Sequence, residues 1–165
     1  MNQSFHNLIQ AHSDFITFVE VLRVRSATQP NQVAFTFLQD GETEQATLTY
    51  QQLDQLARRV ATGLQELGLT GKTALLLYKP GLDFIVGFFG CLYAGVIAVT
   101  AYPPRSERNT PRIKAISGDS QATIVLTTAE NFSTVHSLMT PGTDLETLQW
   151  LATDNLPVGL EDSWQ

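Results

Sequence analysis

Gly71-Lys72-Thr73 has the ending of a phosphate-binding loop. Such a loop needs another Gly five residues before Gly71, and it must run from a strand into a helix. Position 66 is Glu, and the segment instead follows a helical pattern and opens an apolar, strand-like run. It reads as a turn. Gly87, Gly90 and Gly95 do not fit a dinucleotide fingerprint and are expected to permit close packing of a helix on a sheet. His6, His12 and His136 are scattered, with no metal-ligand spacing to Cys or carboxylates, which argues against a zinc site. Cys91 stands in an apolar segment with no nearby His and reads as a buried, inert thiol. No Ser stands in a nucleophile elbow. These residues supply no nucleophile, acid–base pair, metal site or phosphate loop.

Two features near residue 105 remain. Arg105, Arg108 and Arg112, with Lys114 beyond, can line one face around a helix start. They read as a solvated basic face partly balanced by Glu107, with phosphate contact as the alternative. Tyr102-Pro103-Pro104-Arg105 directly follows a strand-like run. Two prolines there force a stiff, extended exit from the strand's carboxyl end. In open parallel sheets that end faces the ligand crevice. The segment is either the wall of a site or a strand terminator.

The elements that must position these residues alternate. Thr17 to Ala27 suits an amphipathic helix ended by Gln29-Pro30-Asn31. Val33 to Leu38 and Gln45 to Leu48 flank Asp40-Gly41 and predict a hairpin. Leu53, Leu56, Ala57, Val60, Ala61, Leu64 and Leu67 form one apolar helical face. Thr49 and Gln52 make its capping box, and Gly68 and Gly71 end it. Strands are predicted at 73–78, 96–100, 123–127 and 148–152. Helices are predicted at 81–94, with Asp83 favoured by the helix dipole, at 110–117, with Pro111 in its first turn, and at 130–138. Strand starts 23 to 27 residues apart suit βαβ units on a parallel sheet. The strands near 73, 96 and 123 should be parallel neighbours, with the 50–67 and 81–94 helices packed on them. The fold class is therefore α/β: layered βαβ units on a mostly parallel sheet, preceded by a helix and an antiparallel hairpin.

Composition agrees. The chain has 165 residues, 43% of them hydrophobic and only 16% charged, which excludes intrinsic disorder. One Cys excludes a disulfide framework and fits a reducing compartment. A net charge of −6 disfavours nucleic acid as a partner. No Lys or Arg follows Lys114, whereas seven acidic residues do. Either their basic partners lie beyond Gln165 or they form a solvated acidic face. The N-terminus has no secretory signal. Phe84 to Tyr102 runs 19 residues without charge, but prolines bracket it, glycines divide it, and its second half turns β-branched. A buried helix followed by a buried strand is expected there rather than a transmembrane segment.

Several stretches carry a family resemblance. Leu48-Thr49-Tyr50-Gln51-Gln52-Leu53 resembles the first core motif of adenylate-forming enzymes, the superfamily of acyl-CoA synthetases and peptide-synthetase adenylation domains. Leu92-Tyr93-Ala94-Gly95-Val96-Ile97-Ala98-Val99 resembles the second. Ala34 to Glu42, Gly81 to Arg105 and Leu148 to Asp154 narrow the resemblance to fatty acyl-AMP ligases, over roughly residues 14 to 165. Lys79 and Thr100 depart from that pattern, each standing where the family usually has Pro. The resemblance implies an enzyme that activates a fatty acid with ATP, aided by Mg²⁺, to an acyl-adenylate. The acyl group then passes to an acyl carrier protein, often in polyketide biosynthesis. The family's phosphate loop, adenine motif, ribose-binding Asp and catalytic Lys do not occur in these residues, so none is assigned a catalytic, cofactor or metal role. Tyr102, Pro103, Pro104 and Arg105 are the signature residues expected nearest a site.

Further expectations follow. Residues 1–13 form an N-terminal tail, and 14–165 an incomplete N-terminal subdomain of an adenylation domain, partnered by the remainder of that domain. The location is cytoplasmic. The 165-residue chain alone is expected to be inactive, to leave a sheet face or edge uncovered, and to be least protected from 148 onward. Two alternatives compete: a truncated, non-catalytic interaction or regulatory module, and an unrelated Rossmann-like nucleotide domain, which the missing glycine fingerprint disfavours. The DNA after codon 165 separates the first reading from the module.

Overall fold

The computed structural model describes residues 17–138, 145 and 147–165. The expected tail at 1–13, with His6 and His12, and also Asp144 and Glu146 lie outside the described residues. Helix α1 (Phe18–Thr28) opens on a capping box. The Thr17 hydroxyl accepts from the Glu20 amide at 3.2 Å, and the Glu20 carboxylate accepts from the Thr17 amide at 3.0 Å. Strands β1 (Val33–Leu38) and β2 (Glu44–Thr49) pair antiparallel as the predicted hairpin. Its turn is held by the Asp40 carboxylate, which accepts from the amides of Glu42 (3.0 Å) and Thr43 (2.7 Å). Those bonds hold the Asp40 carboxyl below its ordinary value. Gly41 supplies the positive φ of 85° that the turn requires.

Helix α2 (Tyr50–Glu66) starts on the Thr49/Gln52 capping box read from the sequence. Leu53, Ala57, Val60, Ala61 and Leu64 of its apolar face are buried. Leu67, expected on that face, is 40% exposed because the helix stops one residue earlier and Gly68, at φ 68°, turns the chain away.

A four-stranded parallel sheet follows, in the order β4-β3-β5-β6. Its strands are β3 (Thr73–Leu77), β4 (Ile97–Ala101), β5 (Ile124–Thr127) and β6 (Gln149–Ala152). The registers Leu75 to Val99, Leu75 to Val125 and Val125 to Trp150 align them. The connections carry α3 (Leu82–Ala94), a 3₁₀ turn (Glu107–Asn109) running into α4 (Thr110–Ser120), and α5 (Ala129–Ser137). Side chains of β3 and β5 alternate between two cores. Ala74, Leu76, Ile124 and Leu126 join α1, α2 and α3, whereas Leu75, Leu77 and Val125 join Ile113, Val135 and Leu145. The central strands β3 and β5 are covered on both faces, so of the expected uncovered face or edge it is the edges that are open. The free features are edges: among the described residues β4 pairs only with β3, and β6 only with β5. At the β4 edge Ile97 is 58% exposed.

The uncharged run divides as predicted, into α3 and β4. Among the described residues no helix is long and apolar enough to cross a membrane. The α3 glycines meet the expectation of helix-on-sheet packing only in part. A Cβ on Gly90 would meet Val60 of α2, and one on Gly87 would meet the Tyr78 ring. Gly90 therefore lets helix meet helix, and Gly95 ends α3 at φ 66°.

The acidic end of the chain turns back rather than waiting for later partners. Residues 153–155 and 160–163 form 3₁₀ turns. The Glu161 carboxylate takes two bonds from Arg59, at 2.7 and 2.8 Å. The Trp164 indole donates to the Tyr93 carbonyl at 3.1 Å and packs on the Tyr93 ring, and the Arg23 guanidinium lies over the Trp164 ring, 5.3 Å from its centre. These contacts tie the end of the chain to α1, α2 and α3. The reading of 148 onward as an unpartnered stretch is corrected accordingly.

Candidate functional site

Pro80 and Gly81 break the chain at the carboxyl end of β3, and Pro103 and Pro104 follow the carboxyl end of β4. The two exits diverge and leave a cleft of about 430 Å³ between them. One wall is the segment from Tyr78 to Leu82 with Phe84 and Ile85 of α3. The second is Thr100, Ala101 and Tyr102, and the third is Phe35, Thr36 and Phe37 of the hairpin. Its size falls within the range of small-molecule sites.

Of the signature residues, only Tyr102 lines this cleft, and it is 69% exposed at the rim. Pro103 is half-buried, Pro104 buried and Arg105 exposed, and none of the three is on the cleft wall. Lys79 and Thr100, the two departures from the resembled pattern, both line it. Sequence reading missed Phe35 and Phe37. Their only signal was a hairpin strand apolar on both of its faces, Val33-Ala34-Phe35-Thr36-Phe37-Leu38, when a solvated strand would alternate.

The polar groups at the cleft are engaged within the chain. The Tyr78 hydroxyl is buried and hydrogen-bonded to the Thr153 hydroxyl at 2.9 Å. Burial drives its pKa far above the ordinary tyrosine value, so it stays protonated. Lys79 reaches Glu130 at 2.8 Å on the exposed rim. Apolar walls with one charged rim residue suit an alkyl or aryl group and hold no acid–base pair.

In open parallel sheets the ligand crevice is expected where the strand order reverses, which here is between β3 and β5. That place is filled. Asn131 donates to the Leu77 carbonyl at 2.6 Å and to the Thr127 hydroxyl at 2.9 Å. Thr127 itself donates to the same carbonyl at 2.7 Å, and Thr153 joins Tyr78 to the Thr127 carbonyl. The cleft is displaced by one strand, to β3 and β4. Asp83, placed by sequence where the helix dipole favours its charge, has its pKa raised instead, by burial and by the Asp154 carboxylate. Cys91 is fully buried, its thiol pushed up to about 12 by that burial. Among the described residues no group of His, Cys, Asp and Glu could hold a metal ion.

Comparison with known proteins adds to this geometry. Residues 22–161 match the AMP-binding enzyme family. The chain is 40% identical over 156 residues to the medium-chain-fatty-acid–acyl-carrier-protein ligase JamA of Moorena producens (strain JHB), covering 92% of this chain and 26% of that protein. It is 37% identical over 123 residues to Disco-interacting protein 2 homolog B-A of Danio rerio, covering 72% of this chain and 8% of that protein. The crystal structure of a fatty acyl-adenylate ligase from L. pneumophila, in complex with acyl adenylate and pyrophosphate, superposes with a TM-score of 0.82 at 37% identity. The match covers 94% of this chain and 26% of that one. The chain thus spans about a quarter of the length of the two ligases.

Proposed function

The chain belongs to the AMP-binding enzyme family, and from that premise we propose that it is an N-terminal part of a fatty acyl-AMP ligase. The observation that carries this reading is the apolar cleft at the carboxyl ends of β3 and β4, in a fold that matches a fatty acyl-adenylate ligase. The whole ligase would join a fatty acid to AMP, releasing pyrophosphate from ATP, and pass the acyl group to an acyl carrier protein. Residues 14–165 would be an incomplete subdomain completed by the rest of the adenylation domain, in the cytoplasm.

In this reading the chain's own residues bind and orient. Phe35, Phe37, Leu82, Phe84 and Ile85 shield an alkyl chain from water, at about 25 cal/mol per Å² of apolar surface removed from it. Tyr102, held by the stiff Pro103-Pro104 exit, closes the rim. Mg²⁺ would neutralise phosphate charge when bound. With no converging ligand set among the described residues, no residue of this chain is assigned to it. Donors aimed at the developing phosphoryl charge would come from elsewhere in the ligase, so the 165-residue chain alone is inactive.

The test is a chimera in which this chain replaces the matching quarter of the L. pneumophila ligase. It should release pyrophosphate from ATP only when a fatty acid is added, while the chain alone releases none. A chimera with native-like near-UV circular dichroism but no turnover on short, medium or long fatty acids overturns the reading. The similarity to Disco-interacting protein 2 homolog B-A, named for an interaction, favours a second reading, an interaction module, and that outcome would move the assignment to it.

A further inference from the structure

Five of the six Lys and Arg residues outside 105–114 are engaged within the chain. Arg23 lies over the Trp164 ring and Arg25 donates to the Tyr50 hydroxyl. Arg58 pairs with Asp54, Arg59 with Glu161, and Lys79 with Glu130. The remaining four of the ten cations in the sequence, Arg105, Arg108, Arg112 and Lys114, crowd into ten residues. Among the described residues none of these four makes an ion pair, and none is among those with an interaction beyond the ones given. Glu107 is the only carboxylate in that interval.

Their placement is ordered. Thr110, Ile113 and Ser117 mark the inward side of α4. Arg112, in the first turn of α4, and Arg108, in the 3₁₀ turn that leads into it, are four residues apart and both exposed, with Arg105 exposed just before them and Lys114 half-buried. Only Pro103 and Pro104 separate Arg105, the first of this run, from Tyr102 at the cleft rim. In a chain with 16 carboxylates and a net charge of −6, three of the other six cations pair with carboxylates, whereas among the described residues no carboxylate pairs with this group. Guanidinium groups held this way match carboxylates through paired hydrogen bonds. Carboxylates on successive turns of a helix repeat at about 5.4 Å, so one acidic helix presents several of them to a run of guanidinium groups close together in sequence.

We propose that Arg105, Arg108 and Arg112 form a docking surface for a carboxylate-bearing helix of an acidic protein, next to the cleft mouth. That this protein is the carrier accepting the acyl group rests on the ligase reading above. Charges at such a rim steer encounter and fix orientation, and their effect falls as salt rises.

The probe is fluorescently labelled apo acyl carrier protein, titrated with the 165-residue chain and followed by anisotropy at low and at high salt. Binding should weaken as salt rises. The R105E/R108E/R112E variant should bind about tenfold more weakly or worse, whereas K72E, a reversal at an exposed site elsewhere, should not change binding. Circular dichroism checks that both variants fold, as their exposure predicts. Replacing the carrier's helical carboxylates by Lys should restore binding to the triple variant. The proposal is overturned by absence of binding at low salt, by unchanged binding of the triple variant, or by equally tight binding of a short DNA duplex. The chimera's turnover reads the ligase assignment separately. Turnover with no patch-dependent binding removes the docking surface alone, and patch-dependent binding with no turnover supports the surface while removing the ligase.

Discussion

Ala at an interior helical position is ordinarily more stable than Gly by about 0.5–1 kcal/mol. At Gly90 in α3 the sign should reverse. A Cβ built there falls 2.6 Å from the Val60 Cβ and closer still to its Cγ1. Carbon atoms in contact rest about 3.5–4.0 Å apart. The Val60 Cβ is fixed to the α2 backbone, so no rotamer change relieves the clash, and α2 and α3 must separate by about 1 Å. Overpacking of this kind costs about 1–3 kcal/mol. Net of the helix-propensity gain, Gly90→Ala should lose about 1–2 kcal/mol. Gly118 in α4 is the internal control. A Cβ there meets nothing within 4 Å, so Gly118→Ala should gain up to about 1 kcal/mol. Urea unfolding of the chain, followed by circular dichroism at one protein concentration, reads both. The Gly90→Ala midpoint should fall by about 0.5–1 M with an unchanged slope. In the Val60→Ala/Gly90→Ala double variant the Cγ1 encroachment is gone, so its loss should be smaller than the two single losses added. A Gly90→Ala protein as stable as the original would refute the argument that the helix crossing depends on the missing Cβ.

Three further outcomes are expected. Arg59 holds the Glu161 carboxyl down to about 2 from an ordinary 4.5. The original chain should therefore exceed Glu161→Gln by about 1 kcal/mol above pH 4.5, and the advantage should fade as pH drops toward 2, as read by urea midpoints across that range. Asn131→Ala removes both bonds to the buried Leu77 carbonyl and Thr127 hydroxyl and should cost about 1–3 kcal/mol, measured as a lowered thermal midpoint. Cys91, fully buried, should resist a thiol reagent at pH 8 until denaturant opens the fold, and labelling ahead of unfolding would contradict the packing of α3.

The parallel sheet and its helices were legible because each strand and helix carries its own local signal. The Thr49/Gln52 capping box and the apolar stripe from Leu53 to Leu64 need only neighbours in sequence. Strand order was not local information. That β5 joins β3 rather than β4 depends on which edge the crossover from α4 reaches. The buried Asp54 was equally hidden, because its partners include the Tyr93 hydroxyl, 39 residues away, at 2.7 Å. The Thr17 to Glu20 capping box was legible and not read: the Thr-x-x-Glu spacing is in the sequence. Phe35 and Phe37 announced an apolar hairpin without saying which surface would use it.

The place of the cleft follows from competition between two crevices. A crevice between β3 and β5 would leave the Leu77 carbonyl and the Thr127 side chain to solvent or ligand. Asn131, Thr153 and Tyr78 claim those groups first, and a satisfied buried network is costly to open. Between β3 and β4 no such buried hydrogen-bond network fills the space among the described residues; Pro80 and Gly81 turn one exit away and Pro103 and Pro104 stiffen the other. The hairpin then supplies the third wall with Phe35 and Phe37. The result is an apolar cleft with Lys79 and Thr100 on its walls, the two residues at which this chain departs from the pattern it otherwise resembles. Both departures lie where a bound group would touch them, whereas the shared Pro103 and Pro104 lie behind the wall and fix its position. In the proposed ligase, selectivity for the bound group and rigidity of the frame would therefore be carried by different residues of the same two loops.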